Sequence, residues 1–273
     1  MKIVHLPSDL RDVPRPLAFV PTMGALHEGH LELVRQARAK GQTVVVSVFV
    51  NPTQFGPNED FTRYPRNLER DAELAASAGA DLVYAPSVET MYPRGEMTKV
   101  VVPEVTQWYE GSHRPGHFDG VSTVVLKLFN QVRPDVALFG RKDLQQCALI
   151  RRMVEDLDLQ VDLEFVPTFR EADGLAMSSR NVYLTPEERV TAPLLHQTLT
   201  ELSKEMRKGG DPEALLVQAR IELADAGFDY DYLDLISSRR FVPIVKVEED
   251  AAIVVAARLG KTRLIDNVEL TKG

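Results

Sequence analysis

Apolar and polar positions fall into alternating blocks along the first two thirds of the chain, short β-branched runs exchanging with helical stripes. Leu17 to Val20 form a continuous apolar run that reads as a buried strand, and Pro21-Thr22-Met23-Gly24 is expected to break it. From His30 the period changes. Leu31, Val34 and Ala37 recur three to four residues apart until Gly41, which predicts a helix ended by that glycine. Thr43 to Val50 is a near-continuous β-branched run, the pattern of a parallel strand buried on both faces. Helical patterns at Asn67 to Ala78, Val121 to Val132 and Asp143 to Leu157 then alternate with strand-like runs. Those runs are Asp81 to Pro86, Lys99 to Pro103, Asp135 to Gly140 and Val161 to Val166. This β-α-β-α order predicts an α/β fold, a Rossmann-like open parallel sheet with helices on both faces and ligands at the carboxyl ends of its strands.

The pattern changes near residue 183. Thr185, Pro186 and Glu188 have the spacing of a helix start, with an N-cap hydroxyl, proline at the first helical position and a capping-box glutamate. Helices are expected to about Arg207 and from Asp211 to Ala226. Strand-like runs follow at Tyr230 to Ile236, Ala251 to Arg258 and Thr262 to Asn267, the last two joined at Leu259-Gly260-Lys261 as a hairpin. The expected organisation is a Rossmann-like domain over residues 1–182 and a smaller α+β C-terminal domain over residues 183–273.

Composition adds limits. With 44% hydrophobic and 26% charged residues, the chain has the make-up of an ordinary globular protein. No apolar run approaches the roughly 20 residues that span a bilayer, so no membrane partner is expected. The first residues carry charges and prolines too early for a secretory leader. The single cysteine, Cys147, makes no intrachain disulfide and fits a reducing compartment, so the expected location is cytoplasmic. A net charge of −8 argues against nucleic acid as the main partner and leaves room for a small anion drawn by local charge.

The candidate chemistry sits at the predicted strand ends. In VPTMGALHEGHLELVRQAR, Val20 to Arg38, a strand, a glycine-containing turn and a helix start follow one another, an arrangement whose free N–H groups receive phosphate. Gly24 and Gly29 clear room for a close approach, and a helical turn would put His27 and His30 on one side. In FVNPTQF, Asn51 could bond a phosphate or hydroxyl and Gln54 a substrate with donors and acceptors, but Asn-Pro makes an Asx-turn equally well. The Arg114–His117 loop fits a gate or a subunit contact as well as chemistry. In FGRKDLQQ, Lys142 stands beside a helix start after Gly140, with Asp143 a plausible N-cap and Gln146 one turn further on. Ser178, Ser179 and Arg180 give donors suited to a polyphosphate, or simply a serine-rich turn. No segment pairs carboxylates for acid–base work, and Cys147 has no activating motif beside it. Transfer at phosphorus by positioning and charge stabilisation is therefore favoured, with no covalent enzyme intermediate.

PTMGALHEGH resembles the HIGH-type signature of the nucleotidyltransferase superfamily. Together with FVNPTQF, RPGHFDGV, FGRKDLQQ, MSSRN, YLTPEER and RLIDN, it stands in the order found in the pantothenate synthetase family, from about residue 16 to residue 268. Arg141 occupies a place where relatives often have glutamate. The resemblance implies ATP-dependent joining of (R)-pantoate to β-alanine through a pantoyl adenylate, with Mg2+ arriving on ATP. It also implies a homodimer. It gives His27, His30, Lys142, Ser178, Ser179 and Arg180 catalytic roles, with His30 the proton donor. The implied ATP pocket takes in Met23, Gly24, Ala25, Leu26, His27, Glu28, Gly29 and His30. It continues with Gly140, Arg141, Lys142, Asp143, Phe169, Met177, Ser178, Ser179 and Arg180. Gln54 and Gln146 would hold pantoate, with Asn51 near the phosphates. The competing readings are a nucleotidyltransferase that leaves the nucleotide on its product and a nucleotide sensor that does no chemistry.

Overall fold

A computed structural model describes residues 1–57, 59, 61–93 and 98–270. The chain packs as two compact units, residues 1–141 with 149–167, and residues 142–148 with 168–273. The sequence pattern changes at residue 183; the packing turns over earlier and assigns the segment around Lys142 to the second unit.

The first unit is built on six parallel strands, β1 (Lys2–Val4), β2 (Leu17–Thr22), β3 (Thr43–Val48), β4 (Leu82–Tyr84), β5 (Val136–Gly140) and β6 (Asp162–Val166). Their order across the sheet is β1-β4-β3-β2-β5-β6, with every neighbour parallel. β2 and β3 lie at the centre, where Leu17 to Val20 and Val44 to Val46 lose all contact with water, as their unbroken apolar runs require. The helices α1 (Glu28–Arg38) and α2 (Leu68–Ser77) pack Leu31, Val34, Ala37, Ala72 and Ala75 into the same core as Val20, Val44 and Val46. Winding outward from β2 to β4 and then returning to β5 makes β2/β5 the point where strand order reverses. The carboxyl ends of those two strands flank the crevice in which open α/β sheets bind ligands.

Three local expectations need correction. β2 continues through Pro21 and Thr22, because Thr22 donates its hydroxyl to the Ser47 carbonyl (2.6 Å) and its N–H to the Ser47 hydroxyl (3.3 Å). Lys99 to Pro103 forms no strand. Its backbone bonds instead to side chains of the long helix His117–Val132, with Val100 N–H donating to Thr123 and Ser122 donating to the Val100 carbonyl. α1 ends at Arg38, before Gly41. The glycine is needed for space: a Cβ there would lie 2.7 Å from the backbone nitrogen of Ala18 and 2.9 Å from its Cβ.

The second unit holds an antiparallel sheet of β7 (Phe228–Ser237), β8 (Val242–Pro243), β9 (Ala251–Leu259) and β10 (Thr262–Glu269), in the order β10-β9-β7-β8. Helices Leu194–Arg207 and Pro212–Asp225 cover it, burying Leu195, Leu199 and Leu223 against Leu233, Leu235 and Ile253. The capping box forms as its spacing foretold, Glu188 N–H to Thr185 hydroxyl (3.2 Å) and Thr185 N–H to Glu188 carboxylate (2.9 Å). That short helix stops at Thr191, and Pro193 caps the next. The β9–β10 hairpin turns on Gly260 at φ +57°.

Gly41→Ala is expected to lower stability by about 1–3 kcal/mol through overpacking against β2. An unchanged urea midpoint for that variant would show that the turn after α1 and the start of β2 can move apart at no cost.

Candidate active site

The histidine turn starts where β2 ends. Thr22 hydroxyl accepts the Gly24 N–H at 3.1 Å, and Gly24 and Ala25 both take left-handed backbone, φ +81° and +51°. A left-handed alanine costs about 1–2 kcal/mol by itself. Asp71, buried on α2, offsets that by accepting the N–H of Ala25 (3.0 Å) and of Leu26 (2.8 Å). Gly24 has no freedom to carry a side chain, since a Cβ would lie 2.8 Å from Asp71 Oδ2 and 2.9 Å from Val48 Cγ1. α1 then begins at Glu28, with His27 as its extended N-cap. His30 lies three residues on, its Nδ1 accepting the His27 N–H at 3.3 Å, and the ring centroids are 4.0 Å apart. Because Nδ1 accepts, the neutral His30 ring carries its proton on Nε2.

Asn51 and Gln54 sit at the end of β3. The Asx-turn is formed: Asn51 Oδ1 accepts from Thr53 N–H (3.3 Å), Thr53 hydroxyl (2.9 Å) and Tyr92 hydroxyl (2.8 Å). Both amide protons of Asn51 are used, on Gln54 Oε1 (3.0 Å) and the Gly120 carbonyl (3.1 Å). Asn51 therefore orients Gln54 and has no proton left for a phosphate. With Oε1 taken, the Gln54 amide presents Nε2, which reaches Met23 Sδ at 3.1 Å. Gly120 lets the long helix approach this turn, since a Cβ there would lie 2.7 Å from the Gln54 nitrogen.

The Arg114–His117 loop supports Gln54 from behind. His117 Nδ1–H donates to the Gln54 carbonyl at 2.8 Å, and its Nε2 accepts from Arg114 at 3.0 Å. Arg114 is in turn held by both oxygens of Glu59, at 2.6 and 2.8 Å. Burial and the Arg114 charge push the His117 pKa down to about 4, against the pull of the Gln54 carbonyl, Glu59 and Glu110. Burial works to raise the Glu59 carboxyl, but the Arg114 bonds prevail and hold it below its ordinary range.

At the end of β5, Gly140 is followed by a short turn, Arg141–Asp143, in which Arg141 donates to the Phe165 carbonyl at 2.9 Å. The remaining predicted residues belong to the second unit: Lys142, Asp143, Gln146, Phe169, Met177, Ser178, Ser179 and Arg180. Asn267 on β10 donates to the Lys142 carbonyl at 3.0 Å. Met177 N–H donates to the Phe169 carbonyl at 3.0 Å, closing the loop between them. Ser178 caps the following turn, its hydroxyl accepting the Arg180 N–H at 3.2 Å.

Sequence reasoning passed over Asp71 and Glu59. A signal for Asp71 was present: it falls on the same helical face as Leu68, Ala72 and Ala75, and a charge on an apolar stripe asks for a buried partner.

A parallel sheet with paired imidazoles at a strand-to-helix turn, and a locked amide at the end of the next strand, defines an α/β protein of the kind that binds ligands at its strand ends. The sequence profile of the family described as pantoate-beta-alanine ligase matches residues 2–269. The chain belongs to the pantoate–β-alanine ligase family. A pantothenate synthetase from Acidiphilium cryptum is 55% identical over 252 residues, 92% of this chain and 91% of the relative. The crystal structure of pantothenate synthetase from Thermus thermophilus is 47% identical, with a TM-score of 0.95 and full coverage of both chains, 100% each. The pantoate-β-alanine ligase of Francisella tularensis, solved with β,γ-ATP and β-alanine, is 33% identical with a TM-score of 0.84, covering 100% of this chain and 99% of its own.

Two outcomes follow from this geometry. Asp71→Asn must turn an N–H toward the backbone N–H of Ala25 or Leu26, so stability should fall by about 1–3 kcal/mol; calorimetric melting checks it. An unfolded histidine takes up its proton near pH 6.5, while folded His117 waits until about pH 4. The unfolded state therefore binds more protons in that window, and stability should fall as pH drops from 6.5 toward 4. Denaturant titrations of His117→Gln should show a flatter profile between pH 6.5 and 5; the parent slope persisting would assign it to other groups.

Proposed function

We propose that the histidine turn, Lys142 and Ser178–Arg180 hold the ATP phosphates while Gln54 and Gln146 hold pantoate, in a ligase that condenses pantoate with β-alanine. The carboxylate oxygen of pantoate attacks the α-phosphorus of ATP, the bond to the bridging oxygen breaks, and pyrophosphate leaves. The amine of β-alanine then attacks the acyl carbon of pantoyl adenylate and loses a proton, and AMP departs with the electron pair of the acyl–oxygen bond. This order is a chemical necessity, because a free carboxylate is a poor electrophile and an amine would only pair with it as a salt. MgATP is the co-substrate form, its metal carried by phosphate oxygens.

Each residue has a part suited to its chemistry. His30, with Nδ1 fixed as an acceptor for the His27 N–H, offers Nε2–H to a phosphate oxygen as charge develops. His27 stands against it at 4.0 Å and supplies a second ring to the same anion. Lys142 and Arg180 provide full charges, and the Ser178 and Ser179 hydroxyls provide donors. Met23, Gly140, Asp143, Phe169 and Met177 line the nucleotide pocket. Gln54 faces pantoate with Nε2, its other side closed by Asn51. Residues 1–182 supply every contact in this scheme. The observation that carries it is the imidazole pair seated at the N-terminus of α1, where a strand end meets a helix start. Family membership extends the same reading to a cytoplasmic homodimer, which sedimentation of the purified chain would check for oligomeric state.

The reading predicts pyrophosphate–ATP exchange that needs pantoate and proceeds without β-alanine. Exchange that strictly requires the amine would replace the adenylate with a concerted route. A stable adenylylated product in place of AMP and pantothenate would favour a nucleotidyltransferase. His30→Ala is expected to keep the fold and lower kcat by the loss of about 3–4 kcal/mol of transition-state stabilisation; near-parental turnover would remove His30 from the chemistry.

A further inference from the structure

The run Arg263-Leu264-Ile265-Asp266-Asn267 on β10 stands far along the chain from every predicted contact, and no step of the reaction uses it. Its last two residues are buried and polar, Asp266 at 4% and Asn267 at 7% exposure. Asp266 receives the Arg170 guanidinium on both oxygens, at 2.7 and 2.9 Å, and the N–H of Asn267 at 2.8 Å; His196 Nδ1 lies 3.5 Å from Oδ2. Burial works to raise the Asp266 carboxyl, but the nearby His196 ring and the Arg170 guanidinium override it and keep the group below its ordinary range. Arg170 also donates to the Gly174 carbonyl at 3.1 Å, fastening the loop that leads through Ala176 to Ser178 and Arg180. The adjacent Asn267 turns its Nδ2 to the Lys142 carbonyl at 3.0 Å. Two consecutive residues of one strand thus hold two separate segments, Asn267 by the backbone carbonyl of Lys142 and Asp266 by the Arg170 side chain, whose segment leads to Arg180.

We propose that Asp266 and Asn267 are positioning residues for the reaction, setting the Lys142 segment and the Arg170–Arg180 segment in one fixed register for the triphosphate. The proposal rests on the reading that Lys142 and Arg180 meet the ATP phosphates. A long lysine side chain has many rotamers, and fixing its backbone restricts where the ammonium can go before ATP arrives. Asn267 touches no substrate and acts through Lys142. Asp266 does so through Arg170, whose charge it neutralises where an unpaired buried ion would be costly.

The test is a double-mutant cycle on the full-length enzyme with Asn267→Asp, Lys142→Ala and the pair, each checked by circular dichroism and melting. Asn267→Asp keeps the shape but replaces the donor with a carboxylate that repels the Lys142 carbonyl. The readouts are the Kd of a non-hydrolysable β,γ-substituted ATP analogue and the separate effects on kcat and KM for pantoate and ATP. Asn267→Asp should weaken analogue binding about tenfold, leave the pantoate KM near parental, and add nothing in the Lys142→Ala background. Losses that simply add, or equal losses for pantoate and ATP, would reduce Asn267 to a structural residue and overturn the proposal alone. Unchanged binding in Lys142→Ala would overturn the phosphate assignment of Lys142 and the proposal with it. Should Asn267→Asp fail to fold, Asn267→Ser shortens the side chain without adding a charge and is read in the same cycle by the same criteria.

Discussion

A buried carboxylate fixes the direction in which the chain leaves β2. Left alone, a turn with two consecutive left-handed residues would relax, because Ala25 has a Cβ to accommodate. Left alone, Asp71 would be an acid removed from water without compensation. The N–H groups of Ala25 and Leu26 replace the lost water, and the carboxylate gives those N–H groups their acceptors. Each half makes the other tolerable. The angle of α1 and the placement of both imidazoles follow from this exchange. One consequence is chemical. The amides of Ala25 and Leu26 face Asp71, so in the proposed site those two N–H groups are not the ones offered to the phosphates, and the imidazoles take that part.

The same arrangement recurs at Gln54. A primary amide has two orientations, and a substrate that needs a donor is served by one of them. Asn51 decides between them by giving a proton to Oε1, while His117 fixes the Gln54 backbone through its carbonyl. His117 can do this only as a neutral ring with its proton on Nδ1, since Nε2 must accept from Arg114. Burial and then the Arg114 charge next to the ring disfavour a second proton, and Glu59 keeps Arg114 in place. Charge on an outer pair thereby sets the tautomer of an inner ring, and that ring helps hold a neutral amide in position.

Much of this was legible beforehand, for reasons that can be stated residue by residue. The strands at Leu17 and Thr43 declared themselves because a parallel strand buried on both faces must be apolar without interruption. The capping box at Thr185 was equally plain, because its chemistry is confined to four consecutive positions. Lys99 to Pro103 misled for the opposite reason. β-branched residues favour extended backbone, but whether a partner strand or a helix's hydroxyls receive its hydrogen bonds depends on residues more than twenty positions away. The partners of the site were hidden in the same way. His27 and His30 are adjacent on one turn and visible as a motif, whereas Asp71 meets Leu26 across 45 residues and Asn267 meets Lys142 across 125.

The charge pattern bears on how this chain handles an anionic substrate with a net charge of −8. At physiological ionic strength, exposed charges are largely screened beyond about 8 Å, so the acidic surface has little hold on a phosphate already inside a cleft. What acts there is the local set. In the proposed site, full charges are reserved for the triphosphate, which carries enough negative charge to bind them, and pantoate is met by neutral amides. That division favours discrimination. A cation would attract any carboxylic acid of suitable size, whereas an oriented amide N–H is satisfied only by an acceptor in the right place. A competitor lacking that acceptor would leave a buried donor without a partner, a penalty of about 1–3 kcal/mol for each such group. In that scheme recognition of the acid depends less on attraction than on how firmly Asn51 keeps the Gln54 amide from turning, with His117 holding the backbone beneath it.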